Sequence, residues 1–306
     1  MALHTEIGLR ADQFHYLSIC AGYGGLDLGL HIAEPGARAV GYIERDAHAA
    51  ATLVARMEDA SLGDAPIWDD LTTFDGRHWR GCVDLVIAGY PCQPFSCSGK
   101  RRGAADSRHL WPHVARVIRE VHPEWVFLEN VKDHVTLGLA EVGQNLRRLG
   151  YRPKAGLFSA AETSAPHWRE RLFVLAHTNG TDGRQYAAAE DRKGRNSAGT
   201  GAGRRFTGRL ERRSNHLVGH DLDSAGTRVL AAGEKATTGL PLYPPAPGDL
   251  QDWRRTLSNQ PELEPSVLRM ADGLADRLDR CRGTGNGVVP LAAALAYRTL
   301  KADFAS

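Results

Sequence analysis

Two side chains in this sequence are spaced and flanked in a way that could do chemistry, Cys92 and Glu129. Cys92 follows Leu85-Val86-Ile87-Ala88-Gly89-Tyr90-Pro91, an apolar run that reads as a buried parallel strand ending in a turn. Pro91 fixes one φ angle and withholds a donor, so the thiol rests on a stiff segment. In open α/β sheets, ligands and reacting groups gather outside the carboxyl ends of the strands, where Cys92 falls. A thiolate there is a nucleophile. A lone cysteine at a strand end is otherwise a small buried hydrophobe, but the string Pro91-Cys92-Gln93-Pro94-Phe95-Ser96 is chemically odd enough to favour the nucleophile. A second strand, Glu124-Trp125-Val126-Phe127-Leu128, delivers Glu129-Asn130-Val131 to the same sheet edge. Thiol and carboxylate thus stand side by side. The loop Gly99-Lys100-Arg101-Arg102-Gly103 is basic and glycine-flanked, suited to approaching a phosphate backbone.

A second constellation lies nearer the start. Phe14 to Cys20 is a short strand candidate broken by Ala21-Gly22-Tyr23-Gly24-Gly25, and Leu26 to Leu30 then opens a helix. Strand, glycine turn and helix bring backbone N–H groups and a helix N-terminus to a ligand. Such turns are common in any α/β protein, so this one alone leaves a nucleotide-type cofactor and a plain connection equally open. Val40-Gly41-Tyr42-Ile43 is the next strand, with Glu44 at its end. An acid about 20 residues past a glycine turn is suited to a ribose diol; it would also be favoured before a helix by the macrodipole. The upstream turn favours the ribose.

The elements that must carry these groups alternate. Ala47 to Met57 is alanine-rich and helical by propensity. Leu110 to His122 has apolar residues at helical spacing and is stopped by Pro123; Leu137 to Leu149 is another helix, ended at Gly150. Leu157-Phe158 and Arg171 to Ala176 read as closing strands, and Leu291 to Leu300 as a helix with Pro290 in its first turn. Strands alternating with helices predict an α/β fold with a doubly wound, mostly parallel sheet.

The bulk properties set the class. In 306 residues, 38 basic and 36 acidic side chains leave a net charge of +2, so any nucleic-acid surface must be local. The cysteines Cys20, Cys82, Cys92, Cys97 and Cys281 are odd in number and lack paired metal spacing, which predicts free thiols, a reducing compartment and no metal. No apolar run approaches the roughly 18 residues of a membrane span, and Met1 to Glu6 does not open like a signal peptide. A cytoplasmic location and no membrane partner are expected.

From His177 to about Ser214 aliphatic residues almost vanish. Arg184, Arg192, Lys193, Arg195, Arg204, Arg205, Arg209, Arg212 and Arg213 face the acids Asp182, Glu190, Asp191 and Glu211. That composition cannot bury a core of its own. It fits both a linker disordered in the free protein and an arginine-rich segment that orders on nucleic acid. Leu217 to Trp253 regains scattered apolar groups among Pro and Gly, suggesting a small irregular module. The expected division is residues 1–176 as catalytic domain, 177–262 as a partly disordered recognition region, and 263–306 as a segment returning to the catalytic domain.

Taken together, the motifs resemble the DNA cytosine-5 methyltransferases. The resemblance is carried in order by Ala21-Gly-Tyr-Gly-Gly-Leu26, Ile43-Glu-Arg-Asp46, Gly89-Tyr-Pro-Cys-Gln-Pro-Phe-Ser96, Ser98-Gly-Lys100, Asp106-Ser-Arg108, Glu129-Asn-Val131, Arg169-Glu-Arg171 and Gly285-Asn-Gly-Val-Val-Pro290. Arg277-Leu-Asp-Arg280 ahead of Gly285 looks most like the phage and prophage members. The resemblance implies the sheet of S-adenosylmethionine-dependent methyltransferases. It makes S-adenosylmethionine the cofactor and double-stranded DNA the partner, in a bacterial or phage-infected cell. It also implies a monomer, with a cognate restriction nuclease as a partner the family allows.

The same resemblance implies roles residue by residue. Cys92 would add to C6 of a cytosine flipped out of the duplex, because C6 is out of reach inside the stack. Glu129 would hold the base and stabilise the developing charge, and Arg171 would bind the base with Arg169 in support. The cofactor would be held by Cys20, Ala21, Gly22, Tyr23, Gly24, Gly25, Glu44, Arg45, Asp70, Leu71, Pro91, Leu110, Asn286 and Val288. Gln93, Ser96, Ser98, Lys100, Arg101 and Arg108, with Arg204 and Arg205, would touch DNA, and the loop from Phe95 through Arg108 would close on it. Cys20 stands where the family usually has Phe, Arg45 where some members have an aromatic residue against the adenine, and His167-Trp168 where Gln is common. The alternatives are the tRNA-methylating branch of the same fold and a catalytically inactive DNA-binding module; intact Cys92, Glu129 and Arg171 argue against the latter.

Overall fold

The computed structural model describes residues 13–91, 110–165, 167–178, 243, 250–259, 261 and 287–305. The chain enters through β1 (Phe14–Ile19), α1 (Gly25–Ala33), β2 (Ala37–Ile43), α2 (Ala47–Glu58) and the short β3 (Ile67–Trp68). After a 3-10 turn at Gly76–Trp79 come β4 (Leu85–Ala88), α3 (Trp111–Val121), β5 (Trp125–Val131), α4 (His134–Leu137) and α5 (Leu139–Arg148). A long hairpin follows, β6 (Tyr151–Ser159) and β7 (Glu170–Thr178); α6 (Leu250–Asn259) and α7 (Pro290–Ala305) are the last elements.

Among the described residues the strands form one sheet in the order β3-β2-β1-β4-β5-β7-β6. Strands β3, β2, β1, β4 and β5 pair in parallel, and β7 alone is antiparallel to both its neighbours. This is the doubly wound, mostly parallel sheet expected from the alternating elements. The strand order reverses between β1 and β4, so the crevice that binds ligands in such sheets opens at the carboxyl ends of these two strands.

The apolar runs follow from burial on both faces. Along β4, Leu85 and Ile87 face one layer, with Leu26 and Leu30 of α1 and Ala293, Ala296, Tyr297 and Leu300 of α7. Val86 and Ala88 face the other, with Val114, Val117, Ile118 and Val121 of α3 and Val142 and Leu146 of α5. A strand sandwiched in this way has no polar side to alternate, which is why it reads as continuous Val, Ile and Leu. α3 ends where His122 takes a left-handed φ of 53° ahead of Pro123, and α2 begins with the Asp46 side chain accepting from the Ala49 N–H at 2.9 Å.

Several expectations needed adjustment. The single helix expected from Leu137 to Leu149 is split at Gly138, where α4 stops and α5 starts. β6 begins at Tyr151, six residues before the expected Leu157, because antiparallel pairing with β7 holds its polar stretch in register. β7 runs to Thr178 rather than ending at Ala176, since His177 pairs with Trp125 and Thr178 with Tyr151. Trp253, at the end of the segment read as irregular, lies in α6. No helix among the described residues is long and apolar enough to cross a membrane.

Candidate active site

Glu129 lies inside β5, two residues from its end, and is buried at 6% exposure. Antiparallel pairing sets Val131 opposite Arg171, and the Arg171 side chain reaches back so that Nε stands 3.0 Å from Glu129 Oε1. A Cβ built on Gly89 would lie 3.6 Å from Glu129 Oε2 and 3.7 Å from the Cys20 carbonyl oxygen. The carboxylate therefore sits where the ends of β1, β4 and β5 converge, at the switch point. Burial pushes the Glu129 carboxyl up to about 7, against the opposing pull of Arg171 and Arg169. At neutral pH the group is therefore divided between acid and carboxylate.

Arg169 bridges to the far end of the chain: its Nη2 donates to the Gly287 carbonyl at 2.5 Å. That bond ties the Arg-Glu-Arg motif to the Gly287-Val288-Val289-Pro290 segment. The segment also abuts the glycine turn, since a Cβ on Gly25 would fall 2.6 Å from the Val288 carbonyl oxygen. Gly25 is thus glycine because backbone passes directly against it.

The turn itself is built on positive φ angles, 53° at Cys20, 55° at Gly22 and 71° at Gly24. Among the described residues no atom comes within 4 Å of a Cβ placed on Gly22, so they leave that side of the turn open. Glu44 closes it from β2: Oε2 accepts from the Gly22 N–H and Oε1 from the Asp46 N–H, both at 2.7 Å. The Glu44 N–H donates to the Trp68 carbonyl at 2.9 Å, which brings the end of β3 and Asp70 alongside. Asp70 is half-buried and held below the usual carboxylate range by hydrogen bonds from Thr72. Leu71 is buried, with its carbonyl accepting from Arg116. Ala21 is buried, with its N–H on the Ile43 carbonyl; Tyr23 meets the His48 ring edge-on; Arg45 is exposed. Leu110 caps α3 and packs on the core, and Pro91 is exposed past β4.

Cys20, half-buried at the turn, is poorly suited to act as a nucleophile. Burial, with Glu44 nearby, pushes its thiol up to about 12 and keeps it protonated. Directly beneath the turn lies Asp27, fully buried in the first turn of α1, with neither carboxylate oxygen hydrogen-bonded among the described residues. Burial raises its pKa to about 6, opposed by the Ser18 and Tyr16 hydroxyls and Arg56.

The structure brings together Glu129, Arg171, Arg169, Cys20 to Gly25, Glu44 and Val288. Cys92 lies outside the described residues, one position past Pro91, and so do Gln93, Ser96, Ser98, Lys100, Arg101, Arg108, Arg204, Arg205 and Asn286. Gly287 and Asp27 were missed from sequence. Asp27 had a signal, a charge set inside the apolar run Leu26-Asp27-Leu28-Gly29-Leu30; Gly287 acts through its carbonyl and had none. Among the described residues no cluster of three or more His, Cys, Asp or Glu side chains could hold a metal ion.

A buried acid–arginine pair thus faces a glycine turn across the switch point of a mostly parallel sheet. The C-5 cytosine-specific DNA methylase model matches residues 14–216, and the chain belongs to that family. It is 36% identical over 181 residues to the type II methyltransferase M.AplI of Arthrospira platensis, covering 57% of this chain and 50% of that protein. It is 33% identical over 169 residues to M.HhaI of Haemophilus parahaemolyticus, covering 54% and 49%. The chain spans about half the length of these curated relatives. Among solved structures, the S. pombe Dnmt2 methyltransferase overlaps with a TM-score of 0.44 at 22% identity, over 56% of this chain and 52% of that one.

Proposed function

We propose that the protein methylates C5 of cytosine in double-stranded DNA, with Cys92 as covalent nucleophile and S-adenosylmethionine as methyl donor. The observation that carries this reading is the Glu129–Arg171 pair, packed beside Gly89 at the end of the strand that leads through Pro91 into Cys92. In the free base C5 is a poor nucleophile. Addition of the Cys92 thiolate at C6 forms an S–C6 bond and moves electron density to C5 and N3. Glu129, with its carboxyl raised toward neutrality, holds a proton at N3 and so stabilises the adduct. Arg171 fixes the carboxyl's orientation through its 3.0 Å contact. Once C5 carries the methyl group, its proton passes to solvent water, the C5–H electrons re-form the C5–C6 double bond as the S–C6 bond breaks and Cys92 leaves as thiolate, and the N3 proton returns to Glu129.

The turn fits the cofactor. Its positive-φ glycines, its open side at Gly22 and the Glu44 carboxylate already set against it would hold a nucleoside, Glu44 taking the ribose hydroxyls. When bound, S-adenosylmethionine supplies an electrophilic methyl group. In this reading the protein acts as a cytoplasmic monomer, and residues 177–262 read the target sequence.

The test is transfer of labelled methyl groups to duplex DNA and, separately, to tRNA. Duplex DNA alone should become labelled, Cys92→Ser should abolish labelling, and DNA with 5-fluorocytosine at the target should trap the protein, because fluorine cannot leave as the proton does. Labelling of tRNA alone would move the protein to the RNA-methylating branch. No labelling of either would leave an inactive module of the same fold.

A further inference from the structure

Tyr90 carries the chain out of β4 toward Pro91, and it is held from three elements. Its ring packs on Trp111 of α3 at 5.4 Å and meets the His134 ring of α4 edge-on at 5.7 Å. Its hydroxyl shares a 3.0 Å hydrogen bond with His134 Nε2. Its carbonyl accepts from Asn130 Nδ2 of β5 at 3.1 Å, while Asn130 Oδ1 accepts from the Val131 N–H. Tyr90, His134 and Asn130 are all buried. His134 is in turn confined by the break between α4 and α5: a Cβ at Gly138 would fall 2.1 Å from its Cε1, so only glycine leaves room for the imidazole.

A buried hydroxyl–imidazole pair is no cheap way to fill an apolar space. Two phenyl rings would pack there without polar groups to satisfy, and a hydrogen bond that replaces two bonds to water adds little net stability. What it adds is direction, because it fixes the rotation of the tyrosine ring and with it the backbone that ring belongs to. The residue fixed is two positions before Cys92, and Asn130 anchors the same residue to the strand carrying Glu129.

We propose that the Tyr90–His134 hydrogen bond positions the nucleophile: it sets the direction in which the chain leaves β4, and so where the Cys92 thiol meets a base held at Glu129. The proposal rests on the methyltransferase reading above. Tyr90 and His134 are positioning residues that act through Pro91 and do not touch the base.

The experiment compares wild type, Tyr90→Phe, His134→Gln and the double variant in steady-state methylation of duplex DNA, with cofactor affinity by calorimetry and melting temperature measured alongside. Tyr90→Phe removes one oxygen and keeps the ring packing; it should lower kcat about 10–100-fold, the effect of a small misplacement. KM for DNA, cofactor affinity and melting temperature should stay near wild type. His134→Gln, which keeps a polar group near the Nε2 position, should retain most of kcat, and adding it to Tyr90→Phe should cost nothing further. Wild-type kcat in Tyr90→Phe overturns the proposal, as does a kcat loss matched by equal losses in cofactor affinity and melting temperature. Should wild type transfer no methyl group, the methyltransferase reading falls. Iodoacetamide labelling, followed peptide by peptide, then decides the positioning role alone. A several-fold change in the Cys92 rate relative to Cys82 in Tyr90→Phe supports it, and an unchanged ratio overturns it.

Discussion

At the scale of single residues, burial does most of the chemical work. Glu129 and Asp27 are both removed from water and both raised, but Glu129 has Arg171 in contact at 3.0 Å, whereas Arg56 lowers Asp27 without an ion pair among the described residues. Without Arg171 the cost of ionising Glu129 would be higher still, since a buried carboxylate needs a partner. The sign of the resulting pH dependence follows from the shift. Glu129 goes from an ordinary 4.5 to about 7 on folding, so the folded state binds its proton more tightly than the unfolded state. The stabilising contribution of that proton is complete below pH 4.5 and is lost as pH rises through 7. Glu129→Gln should therefore gain stability relative to wild type as pH rises across this window, by on the order of 3 kcal/mol in total. Asp27 titrates in the same direction in both proteins and cancels in the difference. Thermal melts of the two proteins from pH 4 to 8 check this, and parallel curves would show that folding leaves the Glu129 pKa at its ordinary value. Methyl transfer by the variant should fall about 10²–10⁴-fold, the range expected for a lost proton-holding group.

At the scale of elements, most of the fold was legible and the failures share one cause. β1, β2, β4, β5 and helices α1, α2, α3 and α7 could be read because apolar period, turn residues and caps are local properties. The start of β6 and the end of β7 were hidden, because hairpin pairing rather than composition determines them. Gly138 looked like an ordinary helical glycine until the His134 ring was seen against it. In the site, Glu129 and Glu44 stood at strand ends and could be found, whereas Gly287 meets Arg169 across 118 residues of chain. The seam between α1 and α7 is the same kind of hidden contact. A Cβ on Gly29 would stand 2.6 Å from the Ala293 Cβ and 2.7 Å from the Pro290 carbonyl oxygen. Helix propensity favours Gly29→Ala by up to about 1 kcal/mol, but overpacking against backbone costs about 1–3 kcal/mol, so the variant should be destabilised. Ala293→Gly in the same protein should restore part of the loss, and Gly36→Ala, where a Cβ meets nothing within 4 Å, should be neutral. Denaturant midpoints for the three variants measure this; a Gly29→Ala protein more stable than wild type would mean the helices separate freely.

At the scale of the whole molecule, charge is nearly balanced while its distribution along the chain is not. The net charge of +2 gives no general attraction for a polyanion, so the DNA affinity proposed above would have to arise where basic residues concentrate. Around the site several arginines are committed: Arg171 to Glu129, Arg169 to Gly287, Arg116 to Glu120 and to backbone carbonyls. The segment from Arg184 to Arg213 has an excess of arginine over acid and almost no aliphatic residues, and it lies outside the described residues. Ordering such a segment costs about 1–2 kcal/mol per residue in backbone entropy, which its own side chains cannot offset by burial. Phosphate contacts and counterion release can. Replacing Arg204 and Arg205 together by alanine should therefore weaken binding of duplex DNA at every sequence tested. The slope of log affinity against log salt should flatten by roughly one unit for each phosphate that no longer meets an arginine, up to about two. S-adenosylmethionine affinity should not change, because the site proposed for it is built from the ends of β1, β2 and β3 and from Val288. Titrations at several salt concentrations decide the matter. An unchanged slope would make residues 179 to 214 a linker, and recognition would then fall to the stretch from Leu217 to Trp253.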